Sequence, residues 1–173
     1  MMHSSFPIRI GIATVLWLAL PLTACAQIDN PYDSGGVLLP EQAAYDVQHY
    51  DLTVQAFPER KTLAGEVVVS AKIASPLSWF VLDLDPLLDV TGTWFLTDEG
   101  DQAVDLERRG GRLWLRALQT LQPGQDVQFK VAYEGAPRVA PNPPWDGGIQ
   151  WEKTPSGADW IATSCQMIGA DVW

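Results

Sequence analysis

Tyr45 to Lys72 reads Y-D-V-Q-H-Y-D-L-T-V-Q-A-F-P-E-R-K-T-L-A-G-E-V-V-V-S-A-K. Tyr50, Leu52, Val54 and Ala56 alternate with Asp51, Thr53 and Gln55. Gly65, Val67, Val69, Ala71 and Ile73 alternate with Glu66, Ser70 and Lys72. A period of two puts one face of a strand in a core and the other in water. Pro58-Glu59-Arg60-Lys61 separates the two runs and reads as a hairpin loop.

The same grammar continues downstream. Trp79 to Leu84 is apolar but for Asp83 and suits a strand buried on both faces. Thr91 to Leu96 is a further strand. Gly110-Gly111 separates Ala103–Leu106 from Arg112–Leu118 as a tight hairpin, and Pro123-Gly124 is a turn. Val127, Phe129, Val131 and Tyr133 then alternate with Gln128, Lys130 and Ala132. Short strands with turns every 8 to 12 residues predict an all-β fold, a sandwich or curved sheet. Trp79, Trp94 and Trp114 sit in strand patterns and are expected in the core. Ala136 to Pro155 is rich in proline and reads as a long loop around a short hairpin at Gly147-Gly148.

Upstream, residues 1–24 read as a signal peptide: one Arg, an apolar run from Ile10 to Leu22, then small residues. The run is shorter than the roughly 20 residues of a spanning helix. Leu22-Thr23-Ala24-Cys25 resembles a bacterial lipobox, which makes Cys25 a lipid-attachment residue. Ala24-Cys25-Ala26 also fits ordinary signal peptidase. The chain is expected to be exported, either as an outer-membrane lipoprotein facing the periplasm or as a soluble periplasmic or secreted protein. Residues 25–44 read as a linker or as an ordered arm.

The formal charge is −10 over 173 residues, and loss of residues 1–24, with Arg9 and no acid, makes it −11. Such a chain repels phosphates, so a nucleic-acid partner is not expected. Cys25 and Cys165 are the only cysteines, which argues against an internal disulfide. His49 is the one histidine after the leader and stands in a strand pattern, so no zinc site is expected from these residues. Cys165 reads as a small buried hydrophobe rather than a nucleophile. Asp83, Asp85, Asp89, Asp98, Glu99 and Asp101 read as solvated turn acids rather than calcium ligands. Trp145 and Trp151 in the long loop keep a second function in play: a surface lipoprotein that binds carbohydrate or peptide through tryptophan. A stand-alone interaction module is the third.

Several stretches taken together resemble the amino-terminal domain of the aminopeptidase N-like zinc metallopeptidases, the gluzincins. Tyr45–Lys72 is similar to that family's opening hairpin. Val131-Ala132-Tyr133-Glu134-Gly135 resembles a later strand end, and Pro144-Trp145-Asp146-Gly147-Gly148 a loop of bacterial members. Trp160–Trp173, W-I-A-T-S-C-Q-M-I-G-A-D-V-W, resembles the segment leading into the family's W-P-C or F-P-C-x-D. The resemblance covers about residues 40–173. It implies a saddle-like β-domain over residues 45–173, incomplete at its C-terminus, that packs over a thermolysin-like catalytic domain. It also implies that Gln166 binds the substrate's free α-amino group. The family's G-A-M-E-N strand and H-E-x-x-H motif do not occur in the sequence. The resemblance therefore implies a non-catalytic domain, with zinc and hydrolysis belonging to a full-length parent. The partner it implies is a peptide N-terminus, held only together with that catalytic domain. An unfinished sheet also predicts an open edge and an uncovered apolar face.

Overall fold

Ten strands and one short turn of 3-10 helix build an all-β sandwich of antiparallel sheets. The computed structural model describes residues 37–165. The strands are β1 (Tyr45–Phe57), β2 (Thr62–Ile73), β3 (Leu77–Asp83), β4 (Leu88–Thr97) and β5 (Gly100–Ala103). They continue with β6 (Leu106–Arg109), β7 (Arg112–Leu121), β8 (Asp126–Gly135), β9 (Gly148–Lys153) and β10 (Asp159–Ser164). One sheet has the order β1-β2-β8-β4-β5, the second β3-β7-β6, and β9 and β10 form a separate ribbon. The chain crosses between the first two sheets after β2, β3, β5 and β7, so consecutive elements supply both layers.

The alternation in the sequence maps onto these layers. Val69, Ala71 and Ile73 of β2 and Val127, Phe129 and Val131 of β8 are buried on the inner face of the first sheet. Phe80 of β3 and Leu113, Leu115, Ala117 and Leu121 of β7 answer them from the second. Each such valine, isoleucine, leucine or phenylalanine, fully removed from water, contributes about 1.5–3 kcal/mol. The loop at Pro58–Lys61 joins β1 to β2 as its sequence predicts, and Arg60 lies over the Phe57 ring at 4.3 Å.

β1 carries a feature that a strict period of two hides. Tyr45 and Val47 point inward at odd positions, whereas Tyr50, Leu52 and Val54 do so at even ones. A bulge between Val47 and His49 makes the switch, pairing Tyr45 with Ile73 but Tyr50 with Val69. One extra residue in a strand reverses facing. The three-stranded sheet is too narrow to cover this half of β1. Tyr50, Leu52 and Val54 therefore remain 58%, 44% and 46% exposed on an apolar inner face.

The structure corrects several expectations. Trp79, Trp94 and Trp114 are half-buried and lie outside the central cluster. Trp94 is paired with Lys130 on the outer face of the first sheet, with Lys130 Nζ 4.8 Å from its ring. Arg109 covers Trp114 at 4.1 Å, and Arg116 covers Trp79 at 5.0 Å. These indoles are large enough to cover a sheet's outer surface while arginine shields them from water. The segment Ala103–Leu106 is divided between β5 and β6. Gly147-Gly148 does not turn a hairpin. It leads into β9, and the β9–β10 reversal falls at 154–158, where Gly157 has a positive φ of 86°.

Asp85 is the largest departure. It is fully buried, not a solvated turn acid. Its carboxylate accepts from Leu87 N at 2.9 Å and from Arg138 N at 3.2 Å, and Arg138 Nε lies 3.8 Å away. Its carbonyl accepts from Arg108 Nη1 at 3.1 Å. A buried carboxylate is tolerated because every neighbour is a donor or a cation. Asp85→Ala should cost about 3–5 kcal/mol of stability by leaving those donors unpaired. Asp98→Ala, at an exposed turn, should stay within about 0.5 kcal/mol. Denaturant midpoints of the two variants check this contrast.

Candidate functional site

Gln166 and Cys25 lie outside the described residues, as does the leader. The described chain does show how the strand running toward Gln166 is held. Ile149 N donates to Arg138 O at 2.7 Å, and Ala140 N donates to Ile149 O at 3.1 Å. A short parallel bridge, Val139 with Ile149, results. Gly148 sits against this segment with φ 138°, and a Cβ there would meet Ala140 N and Arg138 O at 2.6 Å. Only glycine satisfies both the backbone angle and the space. β9 then pairs with β10 in register, Gly148 opposite Ser164. The buried Asp85 thus fixes Arg138, Arg138 fixes β9, and β9 fixes the end of β10.

Ser164 is buried, and Gln150 Nε2 lies 2.8 Å from its hydroxyl. That hydroxyl closes the ribbon. Cys165 is exposed, against the expectation of burial, because β10 ends one residue earlier. His49 is exposed on β1. Among the described residues no three His, Cys, Asp or Glu side chains come together as a metal site.

Two concave surfaces flank this scaffold. The first is an apolar groove of about 390 Å³ on the uncovered inner face. Tyr50, Leu52, Val67 and Tyr133 line it from the large sheet, and Leu82, Asp83 and Leu84 from the end of β3. Gln42 Nε2 donates to Asp83 at 3.0 Å, and Arg112 Nε lies 3.3 Å from the same carboxylate. Tyr45 donates its hydroxyl to Val81 O. The Tyr133 ring lies over Gly65, where a Cβ would come within 2.7 Å of it. Burial pushes the phenol pKa of Tyr45 upward, with Tyr50 and Asp83 adding to the shift. Burial raises Tyr50, with Asp83 adding, and burial alone raises Tyr133.

The second surface is a cleft of about 330 Å³ between the β1–β2 turn and the β9–β10 ribbon. Trp151 and Trp160 line it beside Glu59, Lys61 and Glu152. Trp145 is 64% exposed and does not line it. Sequence reasoning named Trp151 but passed over Trp160. Trp160 stands in a segment read only for its resemblance, and W-I-A-T has no apolar–polar alternation to mark it as a strand.

No protein-family model matches the chain, and no curated protein matches it. Solved structures do. An M1 zinc metallopeptidase from Deinococcus radiodurans matches 63% of this chain at 29% identity, with a TM-score of 0.54. A mutant of that enzyme bound to a Tyr-Ser-Ala substrate matches the same share at 29% identity and a TM-score of 0.54. A two-domain M1 zinc metallopeptidase mutant bound to L-tryptophan matches 63% at 28% identity, again with a TM-score of 0.54. The chain spans about a quarter of the length of these neighbours, 24% of the first two and 25% of the third. This likeness supports an amino-terminal domain of that family.

The groove phenols give a pH test. Their protons are held more tightly in the folded chain than in the unfolded one. The stability they contribute is complete below the ordinary value of 10.0 and is lost as pH rises beyond it. Phenolate absorbance of the native chain should therefore lag behind that of the denatured chain during alkaline titration. Coincident curves would contradict the burial of these rings.

Proposed function

We propose that this chain is the non-catalytic amino-terminal β-domain of an exported zinc metallo-aminopeptidase. In this reading it helps hold the substrate's free α-amino group while a catalytic domain removes N-terminal residues. The observation that carries the reading is the likeness to M1 zinc metallopeptidases over 63% of the chain. The order of sequence motifs from Tyr45 to Trp173 supports it independently. Gln166 is the residue proposed for the amine. It follows Cys165 directly in the sequence, two residues after β10 ends at Ser164. An amide oxygen accepts from an ammonium and so fixes the first residue of a peptide. Zinc and the water-activating groups would come from the remainder of such an enzyme. Cys25 is proposed as the lipid attachment that keeps the protein at the outer membrane.

A chimera tests this reading. Residues 37–173 would replace the corresponding quarter of the Deinococcus radiodurans enzyme. The chimera is expected to cleave aminoacyl substrates. Gln166→Ala should then lower kcat/KM about ten- to a hundredfold, since a hydrogen bond to a charged group is worth about 1.5–3 kcal/mol. Gln166→Glu should restore activity, because a carboxylate binds an ammonium more strongly than an amide does. An active chimera indifferent to Gln166→Ala would remove Gln166 from the site. An inactive but folded chimera would count against the domain assignment itself.

A further inference from the structure

We infer that the cleft between the β1–β2 turn and the β9–β10 ribbon is a carbohydrate-binding site. Its lining joins two kinds of surface. Trp160 is 47% exposed and offers an indole face, and Trp151 stands on the opposing strand of the ribbon. Around them are Glu59, Lys61 and Glu152, whose side chains form no ion pair or hydrogen bond among the described residues. The cleft therefore holds an unspent donor in Lys61, unspent acceptors in Glu59 and Glu152, and the aromatic plane of Trp160.

A pyranose ring matches that combination. Its faces carry C–H bonds that stack on an aromatic plane, and its rim carries hydroxyls that both donate and accept. Carboxylates only accept, and ammonium and indole N–H groups only donate. A site with both kinds suits a neutral, hydroxyl-rich ligand. Beside the Lys153–Asp159 pair the lining carries Lys61 together with Glu59 and Glu152, so a charged ligand of either sign meets a like charge. The Lys153–Asp159 ion pair across the ribbon stiffens the cleft wall without using the other charges. At about 330 Å³ the cleft falls at the small end of ligand sites, enough for one or two sugar rings. The inference does not rest on the amine-holding role proposed for Gln166.

The experiment titrates the full chain with cellotetraose, maltotetraose and tetra-N-acetylchitotetraose, following tryptophan fluorescence and the indole N–H resonances. At least one sugar should shift the Trp151 and Trp160 resonances saturably. Trp160→Ala should weaken that binding by about tenfold or more. Trp160→Phe, which keeps an aromatic plane and guards against loss of the fold, should retain most of it. Trp145→Ala should leave it unchanged, because Trp145 does not line the cleft. The inference is overturned if none of the three sugars shifts these resonances. It is also overturned if Trp160→Ala binds as well as the parent chain, or if lysine amide binds where the sugars do not.

Discussion

Four aromatic rings join the two sheets. Tyr45 stacks on Phe80 at 4.1 Å, Phe80 on Phe129 at 4.5 Å, and Phe95 meets Phe129 edge-on at 5.0 Å. Phe80 belongs to the small sheet, and the other three rings belong to the large one. Phe80 and Phe129 are both fully buried. Rings packed in this way add directional preference to the non-directional gain of burial. They set the place at which the sheets meet, and so also where the small sheet ends. Tyr50, Leu52 and Val54, farther along β1 toward the β1–β2 turn, are left partly uncovered, which produces the apolar groove.

A second constraint acts at the other end of the small sheet. Asp85 lies two residues after the end of β3 and gathers backbone from Leu87 and Arg138 around one buried carboxylate. The chain after β8 would otherwise leave the sandwich as a proline-rich strap. Tied at Arg138, it passes its geometry to β9 and through Gly148 to β10. The ribbon is thus located by hydrogen bonds and one ion pair, whereas the sandwich is located by packing. That difference explains why the ribbon can border an open cleft. Trp160 stays 47% exposed because, among the described residues, no third layer is built against it.

Much of this was legible in the sequence. The period of two in β1, β2 and β8 identified strands, facing and core. The turns at Pro58–Lys61, Gly110-Gly111 and Pro123-Gly124 were marked by residues suited to reversal. What escaped reading depended on contacts distant along the chain. The shift of apolar residues from odd to even positions between Val47 and Tyr50 was visible, but its meaning as a bulge required the pairing with β2. Asp85 resembled its neighbouring acids because its partner Arg138 lies 53 positions away. Trp79 and Trp114 resembled core residues because the arginines that cover them are polar and leave no apolar signature. Gln166 drew its proposed role from resemblance alone, since no local pattern distinguishes an amine-holding amide from a structural one.

The dependence of the fold on the ring stack is open to direct measurement by a double-mutant cycle at Phe80 and Phe129, with leucine at each position. Stability would be read from denaturant unfolding of the four chains. Rings at 4.5 Å and 15° between planes should show a coupling of about 0.5–1.5 kcal/mol beyond their separate burial terms. Additivity within about 0.3 kcal/mol would contradict the account, leaving the sheets joined by burial alone.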